Sequence, residues 1–450
     1  MPATNLKKYY EERLPRYTSY PTAPNFSGDI GPDTYADWLS ALDPNEEISL
    51  YIHIPFCRSM CWYCGCHTKI SKRDEPIIDY IQALQREIAT TGKAISGKAK
   101  VRHLHFGGGT PTIIGADGFS KLMLCLRENF EFNDQSDIAV EIDPRTFTQD
   151  IADMFRQENL TRASLGVQSF DPKVQKAINR IQSYEETKNT VSMLRNAGVK
   201  SINFDLIYGL PHQTVESCIS TTLKALELAP DRFSVFGYAH IPSFKTHQKM
   251  IEENTLADGE GRLEQAEAIA ETLTNEGYRR IGLDHYACPG DDLVKALDGG
   301  ELHRNFQGYT TDTCQTLIGL GASSIGQFPQ GYVQNNVAVG QYAKDALAGK
   351  LATAKGYEMT GEDRMRANII ERLMCEYQID LKPICRAHNI SIEDFLRDNY
   401  RLDALAEDGL IRIENGEIHV DANTRFIIRN VAASFDAYLG QSGRTHSKTA

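Results

Sequence analysis

An alternation of β-rich and helical segments limits what this chain can fold into more than any single residue does. The stretches ISLYIHIPF, VRHLHF, IAVEID, RASLGVQSF, SINFDLIYG and RFSVFGYAHI are rich in β-branched and aromatic residues and read as strands. Between them, segments such as SYEETKNTVSMLRNAG and TVESCISTTLKALEL carry apolar residues at helical spacing. Repeated βα units demand parallel strands joined by right-handed crossovers. Six such units between about 45 and 240 predict an α/β fold, a partial or full parallel (β/α) barrel; periodicity alone leaves its closure open.

The first crossover helix is predicted from about Glu75. Asp74 is placed to cap it, Pro76 suits the first turn, Ile77, Ile81, Leu84 and Ile88 form the apolar stripe, and Gly92 is a stop. Residues 1–45 read as an irregular N-terminal arm over the active site, because PRYTSYPTAPNFSGDIGPD has neither period. The barrel and its extension occupy 46–350, with LEQAEAIAETLTNEGYRRIGLDHYA as a further helix and strand and the glycine-rich QTLIGLGASSIG returning toward the same rim. A boundary near 355 precedes a small, mostly helical C-terminal domain over 355–440, in which LIRIENGEIHV suggests a hairpin, and a polar tail follows over 441–450.

With 450 residues the chain has room for such a barrel plus a module, and 41% hydrophobic with 24% charged residues indicates a folded protein. A net charge of -12 argues against a nucleic-acid partner, so any anionic substrate must find a local basic pocket. MPATNLKKYYEERLPRY holds no secretory apolar core and no later run could span a bilayer, so no membrane partner is expected and the cytoplasm is the expected location.

Four of the ten cysteines fall between positions 57 and 66, in the loop after the first strand, which suggests metal chemistry in a reducing compartment. Cys57, Cys61 and Cys64 place three thiolates within eight residues, close enough for one loop to wrap a cubic cluster. No fourth cysteine stands at matching spacing, which leaves one iron of a [4Fe–4S] cluster open to a small molecule. The alternatives are a structural zinc site, which favours paired CxxC groups or Cys/His sets, and ordinary buried cysteines.

CxxxCxxC after a strand and before a helix resembles the signature of the radical S-adenosylmethionine superfamily. The resemblance implies that the open iron chelates the methionine part of S-adenosylmethionine and that one electron from the cluster cleaves it to a 5′-deoxyadenosyl radical, which abstracts hydrogen from substrate. Such a site must exclude water and oxygen.

Cys66 extends the pattern to CxxxCxxCxC, and with PRYTSYPTA upstream and GGGTPT downstream nearly the whole chain is similar to the oxygen-independent coproporphyrinogen III oxidase family. That resemblance implies an oxidoreductase, an oxygen-independent coproporphyrinogen III dehydrogenase, which converts two propionates of coproporphyrinogen III to vinyl groups with loss of carbon dioxide, giving protoporphyrinogen IX in haem biosynthesis. It implies two molecules of S-adenosylmethionine, an electron donor such as a flavodoxin-type protein, an external electron acceptor, and a monomer. Cys66 is not expected to ligate the cluster; a small packed residue is the other reading.

The other site residues follow from the resemblance. Tyr51, on the strand entering the cluster loop, matches a contact of the first cofactor, although periodicity alone reads it as a core aromatic. Gly108, Gly109 and Thr110 match a segment contacting both cofactors: glycine lets a backbone approach a ligand, and the alternative is a tight turn. Glu141 matches a ribose or ammonium contact, against a surface carboxylate. Gln168, Arg180 and Asp205 match the polar set around the second cofactor. Gln168 and Asp205 interrupt apolar strands and need partners, whereas Arg180 alone reads as a solvated charge. Ala239 and Ile325 enter by resemblance only. Tyr63 offers an aromatic face to an adenine or the substrate ring. His53, His103, His105 and His240 read as structural histidines near strand ends, with a ligand contact as the alternative. Arg16, Tyr17 and Tyr20 are candidates to close over a tetrapyrrole.

The same scaffold is shared by haem-binding chaperones and by methyltransferases that open the haem ring. The chaperones usually lack the PRYTSYPTA arm and the equivalent of Cys66, both present here.

Overall fold

The computed structural model describes residues 6–440, so the predicted tail over 441–450 and the first five positions of the arm lie outside the described residues. Six βα units supply strands β1 (Glu47–Ile54), β2 (Lys100–Gly108), β3 (Asp137–Ile142), β4 (Arg162–Gln168), β5 (Ser201–Tyr208) and β6 (Arg232–Gly237). Their crossovers are α1 (Glu75–Ala94), α2 (Gly115–Asn129), α3 (Gln149–Gln157), α4 (Tyr184–Asn196), α5 (Val215–Leu226) and α6 (Gly259–Asn275). Beyond them the sheet gains β7 (Arg279–Ile281), β8 (His285–Ala287), β9 (Leu317–Leu320), β10 (Ile325–Phe328), β11 (Gly331–Asn335) and β12 (Thr353–Glu358).

The strand order is β12-β11-β10-β9-β1-β2-β3-β4-β5-β6-β8-β7. Strands β9 and β1 to β6 are mutually parallel, and antiparallel strands flank them on both sides. Among the described residues the order is open at both ends, so of the two barrel forms compatible with the sequence the partial one is realised.

Period-two alternation divides the strands between two faces. Ile52, Phe106, Val140, Leu165, Phe204 and Phe233 are all fully buried in the main core, each removal from water worth about 2 kcal/mol. The residues between them are polar and face the barrel interior: Tyr51 stacks on His105 at 5.8 Å, His105 meets Glu141, and Ser164 reaches Asp205. Helix entry is fixed locally, since Ser183 and Thr214 each form a reciprocal capping box at the start of α4 and α5.

Several local expectations are corrected. Asp74 does not cap α1: its side chain pairs with Arg58 at 2.5 Å, tying the helix start to the cysteine loop. Gly92 does not stop α1, which runs on to Ala94; a side chain at Gly92 would lie 2.8 Å from Cβ of Asn129, so the glycine serves close packing of α1 on α2. The glycine-rich segment expected to return toward the rim does so as strand β9, paired in parallel with β1 on the side away from β2. The strand expected in GYRRIGLDHYA is two short antiparallel strands, β7 and β8. Position 355 falls within β12, so the sheet runs on to Glu358 and the C-terminal helices begin at Gly361.

The hairpin in LIRIENGEIHV forms, Ile411–Glu414 against Glu417–Val420, and Gln378–Asp380 adds a third strand. A second core joins this module to the arm: Tyr9, Tyr10, Leu14, Tyr17 and Tyr20 are buried together with Leu373, Ile428 and Phe435. The arm is therefore partly regular, with helices at Lys7–Tyr10 and Pro32–Ser40, and strapped between the C-terminal module and β12, where Ser27 pairs with Gly356. No helix among the described residues is long and apolar enough to cross a membrane.

Candidate active site

The cysteine loop leaves the end of β1 and is tied at its base, because Lys69 N donates to Pro55 O at 2.7 Å and Ser71 N to Cys57 O at 3.0 Å. Two other segments grip the loop between those ties. From the helix before α4, Trp62 N donates to Ile178 O at 2.9 Å and Asn179 Nδ2 to Met60 O at 2.8 Å. From the segment after β6, Lys245 Nζ reaches Cys66 O, His247 Nε2 reaches Cys64 O and Gln248 Nε2 reaches Tyr63 O, at 2.9, 2.8 and 3.1 Å. A carbonyl only accepts, so His247 carries its proton on Nε2. These bonds replace the regular structure that a ligand-wrapping loop lacks.

A cavity of about 670 Å³ opens at the carboxyl ends of the strands, where a parallel barrel concentrates function. Its lining brings together Cys57, Cys61, Cys64, Tyr63, Cys66, Gly108, Gly109, Thr110, Glu141, Gln168, Arg180, Asp205 and Ala239. Among the predicted site residues, Tyr51 and Ile325 are not in that lining. Tyr51 stands behind it, its hydroxyl 3.0 Å from His53 Nδ1. His53 Nε2 donates to His67 O, so Nδ1 is the acceptor and Tyr51 the donor. Ile325 begins β10 with its carbonyl against Gly319, the register partner of Tyr51 on β9.

The glycine run packs against the cysteine loop itself. Gly109 N donates to Ile54 O and Thr110 N to Phe56 O, and a Cβ at Gly109 would lie 2.4 Å from the Phe56 carbonyl oxygen. The close approach these glycines permit is thus chain to chain, with Gly108 at φ 118°. Thr110 Oγ1 lies 3.4 Å from Cys57 Sγ. Glu141 accepts from Gly108 N at 3.0 Å and from His105 Nε2 at 3.3 Å. Burial pushes its carboxyl up, but the bonds from His105 and Gly108 outweigh it and hold the group below the usual range.

On the facing wall, Gln168 sits at a strand irregularity with φ 66°, a left-handed conformation rare outside glycine, and its Oε1 is buried without a partner. Arg180 Nε is likewise buried and unpaired, while its Nη atoms bind Gly166 O and Asp143. Burial, then the charge of Glu141, raise Asp205 to about 7 despite bonds from Ser164, Asn203 and Ser234. Asp143, Arg145, Ser164 and Gly166 also line this wall and sequence reasoning passed over them. Asp143 and Arg145 were findable, standing directly past the end of β3, the position at which barrel chemistry gathers. Arg145 and Arg180 flank Asp143 and each reaches within 3.7 Å of Cys61 Sγ.

Arg16 lines the cavity, with Leu14 and Pro15, but Tyr17 and Tyr20 do not. Both tyrosines turn into the second core, where Tyr17 donates to Asp436 and Tyr20 accepts from Ala437 N. The histidines divide similarly. His53 and His105 support Tyr51 and Glu141, His103 meets Asp137 and Asp312, and His240 meets Tyr238 and Glu253.

The donor set suits an iron–sulfur cubane. Among the described residues no three His, Cys, Asp or Glu side chains converge on a single-ion position. A cubane asks instead for one thiolate per iron from thiols spread around it, and Cys57, Cys61 and Cys64 supply three within one wrapped loop. Burial pushes the Cys57 thiol up to about 11, whereas a hydrogen bond from Cys66 leads the influences that bring Cys64 down to about 6. The unpaired Gln168 Oε1 and Arg180 Nε are the buried polar atoms a small polar ligand would satisfy.

Comparison with known proteins identifies the family. Residues 51–224 match the family model of the radical SAM superfamily. The chain is 55% identical over 440 residues to the oxygen-independent coproporphyrinogen III oxidase of Bradyrhizobium diazoefficiens, covering 98% of each. It is 39% identical to that of Escherichia coli, covering 98% of this chain and 96% of the relative. The solved coproporphyrinogen III oxidase of Escherichia coli, described as a radical SAM enzyme, superposes with a TM-score of 0.90 over 95% of this chain and 100% of that one, at 38% identity. A cysteine loop gripped at the mouth of a partial barrel, facing a polar wall with unsatisfied buried groups, is thus matched by near full-length similarity, and the chain belongs to the oxygen-independent coproporphyrinogen III oxidase family of radical SAM enzymes.

Proposed function

We propose that this chain converts two propionate side chains of coproporphyrinogen III to vinyl groups, with release of carbon dioxide, to give protoporphyrinogen IX. The observation that carries the reading is the convergence of Cys57, Cys61 and Cys64 with Gln168, Arg180 and Asp205 on one cavity, in a chain so similar to the family. When bound, a [4Fe–4S] cluster with S-adenosylmethionine supplies a carbon-centred radical able to abstract hydrogen beside a carboxylate-bearing carbon.

The chain's own residues hold and shield that chemistry. Cys57, Cys61 and Cys64 would each take one iron and leave a fourth open. Gly108, Gly109 and Thr110 border the space for both S-adenosylmethionine molecules, and Glu141 offers a carboxylate there, with Tyr51 and Ile325 behind them. Gln168, Arg180 and Asp205 offer a second polar set, which supports two cofactor molecules in the cavity, and Ala239 lines it beside them. Tyr63 lines the same cavity and offers it an aromatic face. Leu14 and Pro15 of the arm line the cavity and would help to shield it from water. A smaller recess of about 320 Å³ reaches Cys57 beside Arg58 and Arg145, and we assign entry of the electron from a flavodoxin-type donor to that side.

Anaerobic incubation with reductant, S-adenosylmethionine and coproporphyrinogen III tests this reading. Protoporphyrinogen IX and two equivalents of carbon dioxide are expected. Haem binding without decarboxylation would overturn the reading in favour of a carrier.

A further inference from the structure

The chain is acidic overall, with a net charge of -12, yet six arginines gather in one place. Arg13, Arg16, Arg262, Arg280, Arg304 and Arg429 line a chamber of about 280 Å³, against three carboxylates, Asp258, Glu267 and Asp284. The arginines come from the arm, α6, β7, the strand His303–Asn305 and the helix Ile428–Ala433, so distant parts of the chain fold to bring like charges together. Such crowding is costly in a partly buried site unless an anion completes it.

Two of these side chains are incompletely satisfied. Arg304 has a side chain 4% exposed, stacks 4.4 Å over Tyr309, and leaves Nε and Nη1 without a hydrogen-bond partner; its nearest carboxylate, Asp284, is 3.8 Å away. Its Nη2 donates to Arg16 O at 3.4 Å. Arg280 Nε is also unpartnered, and Glu267 stands 3.9 Å from its Nη1. Arg429 donates to Leu14 O and Pro15 O, which pins the arm so that Arg16 is held at the chamber.

Position gives the chamber its meaning. It shares Arg16 and the segment Phe236 to Ala239 with the cysteine cavity, so the two spaces adjoin across the end of β6. Planar guanidinium groups recognise carboxylates by paired hydrogen bonds, and a tetrapyrrole carrying four propionates offers more carboxylates than the reacting one. Resting on the substrate reading above, we propose that this arginine chamber binds the non-reacting propionates of the substrate while another propionate enters the cysteine cavity. The carboxylate of S-adenosylmethionine is the other anion within reach, and the test separates the two.

Reconstituted holoenzyme is titrated anaerobically with coproporphyrin III and with its neutral tetramethyl ester, followed by porphyrin fluorescence, and KM is measured for coproporphyrinogen III and for S-adenosylmethionine. Wild type is expected to bind the tetracarboxylate and not the ester. Arg304→Gln and Arg16→Gln should each weaken that binding and raise KM for the porphyrinogen at least fivefold, with KM for S-adenosylmethionine unchanged. Arg16 is exposed on the arm, so its variant keeps the test valid if the buried one does not fold. Arg279→Gln, in a surface ion pair with Asp298, should match wild type. Wild-type affinity in both chamber variants, or a raised KM for S-adenosylmethionine instead, would overturn the proposal. Loss of tetracarboxylate binding in the variants of a chain that does not decarboxylate would leave the chamber standing and remove the activity. Decarboxylation with wild-type KM in both variants would do the reverse.

Discussion

Arg180 directs Nη1 at the sulfur of Cys61 from 3.7 Å. The guanidinium is held there by Asp143 at 3.3 Å and by Gly166 O at 2.6 Å, and it is almost wholly buried. A residue that sequence alone reads as a solvated charge is therefore a fixed cation beside one of the three thiols.

A positive donor next to a cluster thiolate favours the added electron, and hydrogen bonding to sulfur is one of the levers that set an iron–sulfur potential. Arg180→Gln should move the reduction potential of the bound cluster to more negative values while iron content stays near that of wild type. An EPR-monitored redox titration checks this; an unchanged potential would remove Arg180 from that role.

Gly109 and Gly65 give opposite expectations within the same site. A Cβ at Gly109 would meet the backbone of Phe56 at 2.4 Å, whereas Gly65 has open space around it. Gly109→Ala should cost about 1–3 kcal/mol by overpacking and displace the base of the cysteine loop. Gly65→Ala should leave stability and iron content as in wild type. Thermal unfolding and iron per chain distinguish them.

Asp205 is raised to about 7, first by burial and then by the charge of Glu141. A carboxyl raised in the folded state costs stability over the interval in which the unfolded chain has ionised and the fold still holds the proton, so its contribution falls as pH climbs from the ordinary carboxylate range toward 7 and is level above that. Asp205→Asn should therefore gain melting temperature over wild type at pH 8, by a few degrees, and less at pH 5. Melting curves at the two pH values provide the check, and an equal gain at both would contradict the assignment.

Cysteine variants separate ligands from a supporting neighbour. Cys57→Ser, Cys61→Ser and Cys64→Ser should each lose the brown absorption of the cluster and the cleavage of S-adenosylmethionine. Cys66→Ser should retain the cluster, because Cys66 acts on Cys64 through a hydrogen bond. Iron content and visible absorption after reconstitution decide the matter.

The six barrel strands were legible because each one alternates an outward apolar residue with an inward polar one, as in Leu104, His105 and Phe106. Strand β9 escaped notice because LIGL is short, holds Gly319 within it and runs into Gly321, so only its pairing with β1 identifies it. Asp74 and Gly92 carry the right residue types for capping and stopping a helix, yet tertiary partners, Arg58 and Asn129, claim them instead. Within the site, the cysteine spacing and the place of Asp143 and Arg145 just past β3 are local and readable, whereas the pairing of Asp143 with Arg180 is a tertiary contact. Tyr17 and Tyr20 look like ligand-facing aromatics in an irregular arm, but the core they fill belongs to residues hundreds of positions away. The arginine chamber was invisible for the same reason, since its six members lie on five distant parts of the chain.

Mössbauer spectroscopy of protein reconstituted with iron-57, before and after addition of S-adenosylmethionine, tests most directly whether a three-cysteine loop leaves one metal accessible. A change confined to a single iron of the four is the expected result. Four irons that all ignore the added cofactor would contradict the account.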